Sequence, residues 1–105
     1  MDAARFRTAA LALDEVEEGA HQGHPDFRVR GKIFASLAAD DSWAMVKLPP
    51  EEQASRIAAQ PEVFEAFRGA WGRAGCTKVH LVAARVREVE QALRSAWANV
   101  RDAAR

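Results

Sequence analysis

Between Asp26 and Leu37 apolar and polar residues alternate, and a glycine stands where the chain must reverse. Phe27 and Val29 lie on one side of the first run, Arg28 and Arg30 on the other, and Gly31 follows at once. A period of two is the pattern of a strand with one buried face. Glycine beside Arg30 or Lys32 suits a two-residue hairpin turn, because such turns need positive φ and glycine adopts it without steric cost. Residues 33–37 are then the return strand. Asp40-Asp41-Ser42 makes a second, polar turn, and residues 43–48 a third strand. A central antiparallel meander confines the chain to folds in which a sheet buries one side under helices.

On either side of the meander the period changes to that of a helix. Phe6, Ala9, Ala10 and Leu13 form one stripe behind Asp2, an N-cap residue, and predict a first helix ending near Leu13. Pro49-Pro50-Glu51-Glu52 opens a second: proline fits the first turn, and carboxylates suit the positive end of the helix dipole. It runs to about Ala59, and Pro61 stops it. Val63, Phe64 and Phe67 predict one further helical turn. Gly69, Gly72 and Gly75 surround Trp71 in a loop, residues 77–82 read as a strand, and Val86, Val89, Leu93, Trp97 and Val100 stripe a last helix. The expected fold is α+β, an antiparallel sheet with helices packed on one face in the order α-β-β-β-α-β-α, with residues 16–21 as a candidate extra strand. No repeat, low-complexity tract or Gly/Ser linker divides residues 1–105, which read as one domain.

Fifteen basic residues balance fifteen acidic ones. Non-specific nucleic-acid binders draw most of their affinity from phosphate neutralisation, so any such binding here must come from a local patch. The single cysteine, Cys76, allows no internal disulfide, and no apolar run approaches a membrane span. The first thirteen residues carry Asp2 and Arg7 within the apolar stretch and read as an amphipathic helix, not a signal peptide. The expected location is the cytoplasm.

Parity sorts the strands into faces. Paired residues of a hairpin point the same way, so Phe27, Val29, Phe34 and Ser36 share one face and Arg28, Ile33, Ala35 and Leu37 the other. A four-residue second turn, residues 39–42, adds Trp43, Met45 and Lys47 to the first face and Ala44, Val46 and Leu48 to the second. The second is aliphatic and seats the helices. The first, joined by Lys78 and His80, interleaves aromatics with cations, as a base-stacking, phosphate-contacting surface requires. The same composition fits a second core layer or a homodimer interface with its lysines snorkelling outward. A one-residue error in a turn would turn the third strand over.

His21 and His24 stand three apart, but among Gly19, Gly23 and Pro25 they read as hydrogen-bonded loop residues, with no third metal ligand nearby. Cys76 has no nucleophile signature and reads as a small buried residue at a strand start. Glu15, Glu17 and Glu18 form a solvated turn. No phosphate-binding glycine loop or nucleophile elbow is present, so neither a catalytic centre nor a cofactor or metal is expected. Arg68, Arg73 and Lys78 bracket Gly69-Ala70-Trp71-Gly72, where Trp71 either enters a ligand's groove or folds back onto the core.

Gly23-His24-Pro25-Asp26-Phe27-Arg28-Val29, then Gly31-Lys32-Ile33-Phe34-Ala35, Lys47-Leu48-Pro49-Pro50-Glu51-Glu52-Gln53 and Gly69-Ala70-Trp71-Gly72 follow one another in an order and spacing that resembles the MmcQ/YjbR family over roughly residues 9 to 100. The resemblance implies a compact α+β fold like the CyaY/frataxin-type domains. Members are commonly labelled DNA-binding, and one namesake comes from an antibiotic biosynthesis cluster, which implies small-molecule binding or resistance as the alternative. The matching positions that would share a surface are His24, Phe27, Lys32, Phe34, Lys47 and Trp71. Cys76 stands where many relatives carry a large aromatic, so the pocket beside Trp71 is expected to differ. The leading expectation is a non-enzymatic DNA-binding module using His24, Phe27, Lys32, Phe34, Trp43, Lys47, Trp71, Arg73 and Lys78. The alternatives are a small-molecule pocket near His24, Lys47 and Trp71, or a protein-interaction role through a dimer over the same face. A monomer or weak homodimer without a membrane partner is expected.

Overall fold

The Asp2 carboxylate accepts a hydrogen bond from the Arg5 N–H at 2.8 Å and caps α1, Ala3–Leu11, whose Phe6 and Ala10 are buried. A computed structural model describes residues 1–104 of the chain. After α1 come β1 (Val16–His21), β2 (His24–Val29), β3 (Lys32–Leu37) and β4 (Trp43–Lys47), then α2 (Pro50–Ala59), β5 (Phe64–Ala66), α3 (Gly69–Arg73), β6 (Cys76–His80), a 3-10 turn (Leu81–Ala83) and α4 (Val86–Ala103). The six strands form one antiparallel sheet in the order β1-β2-β3-β4-β6-β5.

The Arg30-Gly31 turn holds both residues at positive φ, 53° and 78°, as a two-residue hairpin between Val29 and Lys32 demands. Residues 39–42 form the expected four-residue turn, closed by the Ala38 N–H on the Trp43 carbonyl at 2.9 Å. Residues 16–21 are a strand.

One irregularity corrects the expected facing. Arg28 pairs with Ile33, but Phe27 pairs with Ala35, so Phe34 is the extra residue of a β-bulge. Beyond it the parity of β3 is reversed. Phe27, Val29, Phe34, Ala35 and Leu37 are all fully buried in the core, while Arg28 and Ile33 share the opposite, partly exposed face with Ser36, Met45, Trp43, Lys47, Lys78 and His80.

The three longer helices cover the apolar face. Phe6 of α1 meets Phe27 at 6.1 Å between ring centroids. Val89, Leu93, Trp97 and Val100 of α4 are buried with Ala92 and Ala96, whose small side chains let the helix approach the sheet. The Trp97 indole N–H is satisfied by the Asp14 carbonyl at 2.9 Å. Gln53 of α2 is buried, and its amide donates to the Cys76 carbonyl and the Thr77 hydroxyl, both at 3.1 Å.

Three local expectations are overturned. Phe64–Ala66 makes edge strand β5 where a further helical turn is expected over residues 63–67, because the flanking His80 N–H finds the Val63 carbonyl at 2.8 Å and the Phe67 N–H finds the Cys76 carbonyl at 3.1 Å. The segment around Trp71 is the short helix α3, not an open loop. The last strand stops at His80, where the chain enters the 3-10 turn.

Candidate functional site

Where the β2–β3 turn, the end of β4 and the start of β6 come together, α3 and the last turns of α4 border a cleft of about 940 Å³. Ile33, Met45 and Cys76 line it from the sheet, Ala70 and Trp71 from α3, and Asn99 and Val100 from α4. Its basic side chains are Lys32, Lys47, Arg28 and His21, and among the described residues no carboxylate lines it. Trp71 is 72% exposed, so the indole belongs to the mouth of the cleft and not to the core.

Backbone contacts fix these side chains. Lys47 is the last residue of β4, paired with Cys76, and its carbonyl accepts from the Asn99 amide at 3.0 Å, which ties α4 to the strand end. The Leu48 N–H reaches the Gly75 carbonyl at 2.9 Å and holds the start of β6 against it. Burial pushes the Cys76 thiol above its ordinary value, with Lys47 opposing, so this group is a protonated apolar surface rather than a nucleophile.

At the other end of the cleft Asp26 is fully buried on the same sheet face. Its carboxylate accepts Arg28 Nε at 2.8 Å and Nη2 at 3.1 Å, and lies 2.8 Å from His21 Nδ1. The Arg28 hydrogen bonds hold the Asp26 carboxyl below the usual range, burial works against them, and the His21 bond adds to the lowering. Such a group contributes stability in full above its unfolded value and loses it as pH falls through the lower, folded value. Urea unfolding followed downward from neutral pH will therefore show stability falling below about pH 4, the unfolded aspartate range. Asp26→Asn will flatten that decline and cost about 1–3 kcal/mol at neutral pH, through the hydrogen-bond partners it strands.

The remaining sequence candidates are distributed unevenly. Lys32, Lys47 and Trp71 meet in the cleft. Trp43 and Lys78 lie nearby on the same face, but each occupies the other: Lys78 Nζ sits 5.0 Å from the Trp43 ring centroid and 5.6 Å from that of Phe67, whose ring meets Trp43 edge-on. Glu65 stands opposite Lys78 and 2.8 Å from His80 Nε2, and that hydrogen bond, followed by the Lys78 charge, lowers its carboxyl. His24 stacks on His21 at 5.8 Å and lies outside the cleft lining, and Arg73 is exposed at the end of α3. Phe27 and Phe34 are corrected outright, because the bulge places both in the core with no surface to offer a ligand. Arg28, His21 and Asp26 were not among the candidates. The available signal was their spacing: Asp26 and Arg28, two apart in a strand, necessarily share a face.

The sequence profile of the YjbR family matches residues 11–99. The chain belongs to the YjbR family. No curated protein matches it significantly. Among solved structures it is similar to the crystal structure of the Deinococcus radiodurans protein DR2400, described by the family domain DUF419, with a TM-score of 0.76 and 17% identity, covering 90% of this chain and 75% of that one. At that identity the likeness establishes the fold. In this YjbR chain the matched stretch contains all six strands, while Val100, Ala103 and Ala104 of the cleft lie beyond it.

Proposed function

We propose that this YjbR-family chain is a non-enzymatic binding protein for an anionic ligand carrying a flat apolar group, taken up in the cleft. The observation that carries the reading is the lining itself, cations and an exposed indole around an apolar surface, with no carboxylate among the described residues. A DNA strand supplies both halves of that chemistry, phosphates for Lys32 and Lys47 and a base to stack on Trp71. The zero net charge is no obstacle to a local site, because all three lysines of the chain, Lys32, Lys47 and Lys78, lie at the cleft or on the sheet face beside it. With Phe27 and Phe34 in the core and Trp43 engaged by Lys78, the stacking surface is one indole, which suits one or two unpaired bases rather than a long platform. A small organic anion is the second reading, favoured by a volume within the roughly 300–1,000 Å³ of small-molecule sites.

A labelled single-stranded oligonucleotide titrated at rising salt tests the proposal. Affinity is expected to fall linearly on logarithmic axes, Lys47→Ala to reduce the slope by about one, and Trp71→Ala to weaken binding about ten-fold. No oligonucleotide binding at low salt transfers the site to the small-molecule reading, tested by thermal shift with aromatic phosphates and carboxylates. Silence in both experiments overturns the proposal.

A further inference from the structure

We infer that Arg28 and His21, held by Asp26, form a receptor for a terminal phosphate monoester at one end of the cleft, an inference that rests on the cleft being a binding site. Asp26 is completely buried, yet both of its partners line the cleft, with side chains 40% and 45% exposed for Arg28 and His21. A buried carboxylate spending its lone pairs on two side chains that face one cavity is a positioning device.

The hydrogen-bond inventory specifies what these groups can take. Arg28 gives Nε and Nη2 to Asp26, which leaves the Nη1 hydrogens and one on Nη2 for a ligand. An ionised carboxylate only accepts, so His21 Nδ1 carries the hydrogen shared with Asp26, which leaves Nε2 for a ligand. The receptor thus offers a guanidinium fork beside one imidazole nitrogen that can share a proton with a ligand oxygen. A carboxylate or an internal phosphodiester brings one negative charge and two terminal oxygens. A phosphate monoester, whose second ionisation lies near pH 6, brings up to two charges and three terminal oxygens, one to share a proton with Nε2 while the others accept from the guanidinium.

Gly19 supplies an independent sign that the pair is accommodated. It lies across β1–β2 from Asp26, and a Cβ there would stand 3.0 Å from Asp26 Oδ1 and 3.2 Å from Arg28 Nε. Glycine inside a strand is destabilising by itself, and here its bare edge leaves the ion pair its room. Glu17, opposite Arg28 on β1, makes no ion pair with it among the described residues.

Calorimetry of the full chain at pH 6.5 with phenyl phosphate and with its methyl diester tests the assignment. The monoester is expected to bind at least about ten-fold more tightly, the effect of one or two charge-assisted hydrogen bonds. Arg28→Lys keeps the charge but loses the fork, and His21→Gln alters an exposed side chain; each should reduce that preference while circular dichroism confirms the fold. Lys47→Ala and Trp71→Ala should weaken both probes alike. A 5′-phosphorylated oligonucleotide preferred over its 5′-hydroxyl twin assigns the phosphate to a DNA end, and a preference confined to phenyl phosphate assigns it to a small ester. Equal binding of monoester and diester, or a preference untouched by both variants, overturns the receptor and leaves the cleft reading standing. If no probe binds, both fall.

Discussion

Phe34→Ala will cost the fold about 3–5 kcal/mol, the usual range for removing a buried phenyl ring and leaving a cavity. Domains of this size are held by only about 5–15 kcal/mol, so the variant will lose roughly a fifth or more of its stability and shift its urea midpoint accordingly. Phe34 is fully buried in a cluster that contains Phe27, Leu37, Val46 and Leu93. The ring therefore has no path to a ligand, and the folded fraction of the variant will bind as the parent does. Trp71→Ala makes the opposite pair: at an exposed position the stability change is expected within about 0.5 kcal/mol, and affinity carries the loss. An unchanged midpoint for Phe34→Ala would mean that the strands pair without the bulge and that Phe34 faces outward after all.

That contrast locates what the sequence could and could not disclose. Period and punctuation were sufficient for the Arg30-Gly31 hairpin, the four-residue turn at 39–42, the Asp2 cap and the α4 stripe, because each is decided by a few neighbouring residues. Parity counts residues one for one, and a bulge adds one. Its only local trace is the run Ile33-Phe34-Ala35, three apolar residues where alternation would place a polar one. The cost passes directly to the site: strict parity puts Phe27 and Phe34 on the open face and Arg28 on the covered one, away from the cleft. The facing of Trp43, Met45 and Lys47 with Lys78 was correct, since β4 and β6 pair without irregularity. Trp71 was undecidable from its own segment, because its exposure depends on how Gly72 and Gly75 seat α3 against other parts of the chain.

Those two glycines give the second large effect. A Cβ at Gly75 would lie 1.9 Å from the Leu48 carbonyl oxygen, and the residue holds φ at +107°, where a side chain is strained in any case. A Cβ at Gly72 would lie 1.7 Å from the Phe67 carbonyl oxygen. In both places the obstacle is backbone, so no rotamer change relieves it. For Gly75→Ala the end of β4 must part from the start of β6, breaking the Leu48–Gly75 hydrogen bond at the point where Lys47 and Cys76 pair. Overpacking and a disallowed φ together predict a loss of about 3 kcal/mol or more. Gly72→Ala should instead lift α3 from Phe67, displacing Trp71 and weakening the cleft ligand even at temperatures where the domain stays folded. Gly31→Ala is the control: its added Cβ meets nothing within 4 Å, so only the positive φ is penalised, by about 1–2 kcal/mol. Thermal melts of the three variants, read beside ligand titrations, separate the contributions. If Gly75→Ala melts no lower than Gly31→Ala, the strand ends do not approach as closely as the Leu48–Gly75 hydrogen bond requires, and the cleft they frame loses its rigid side.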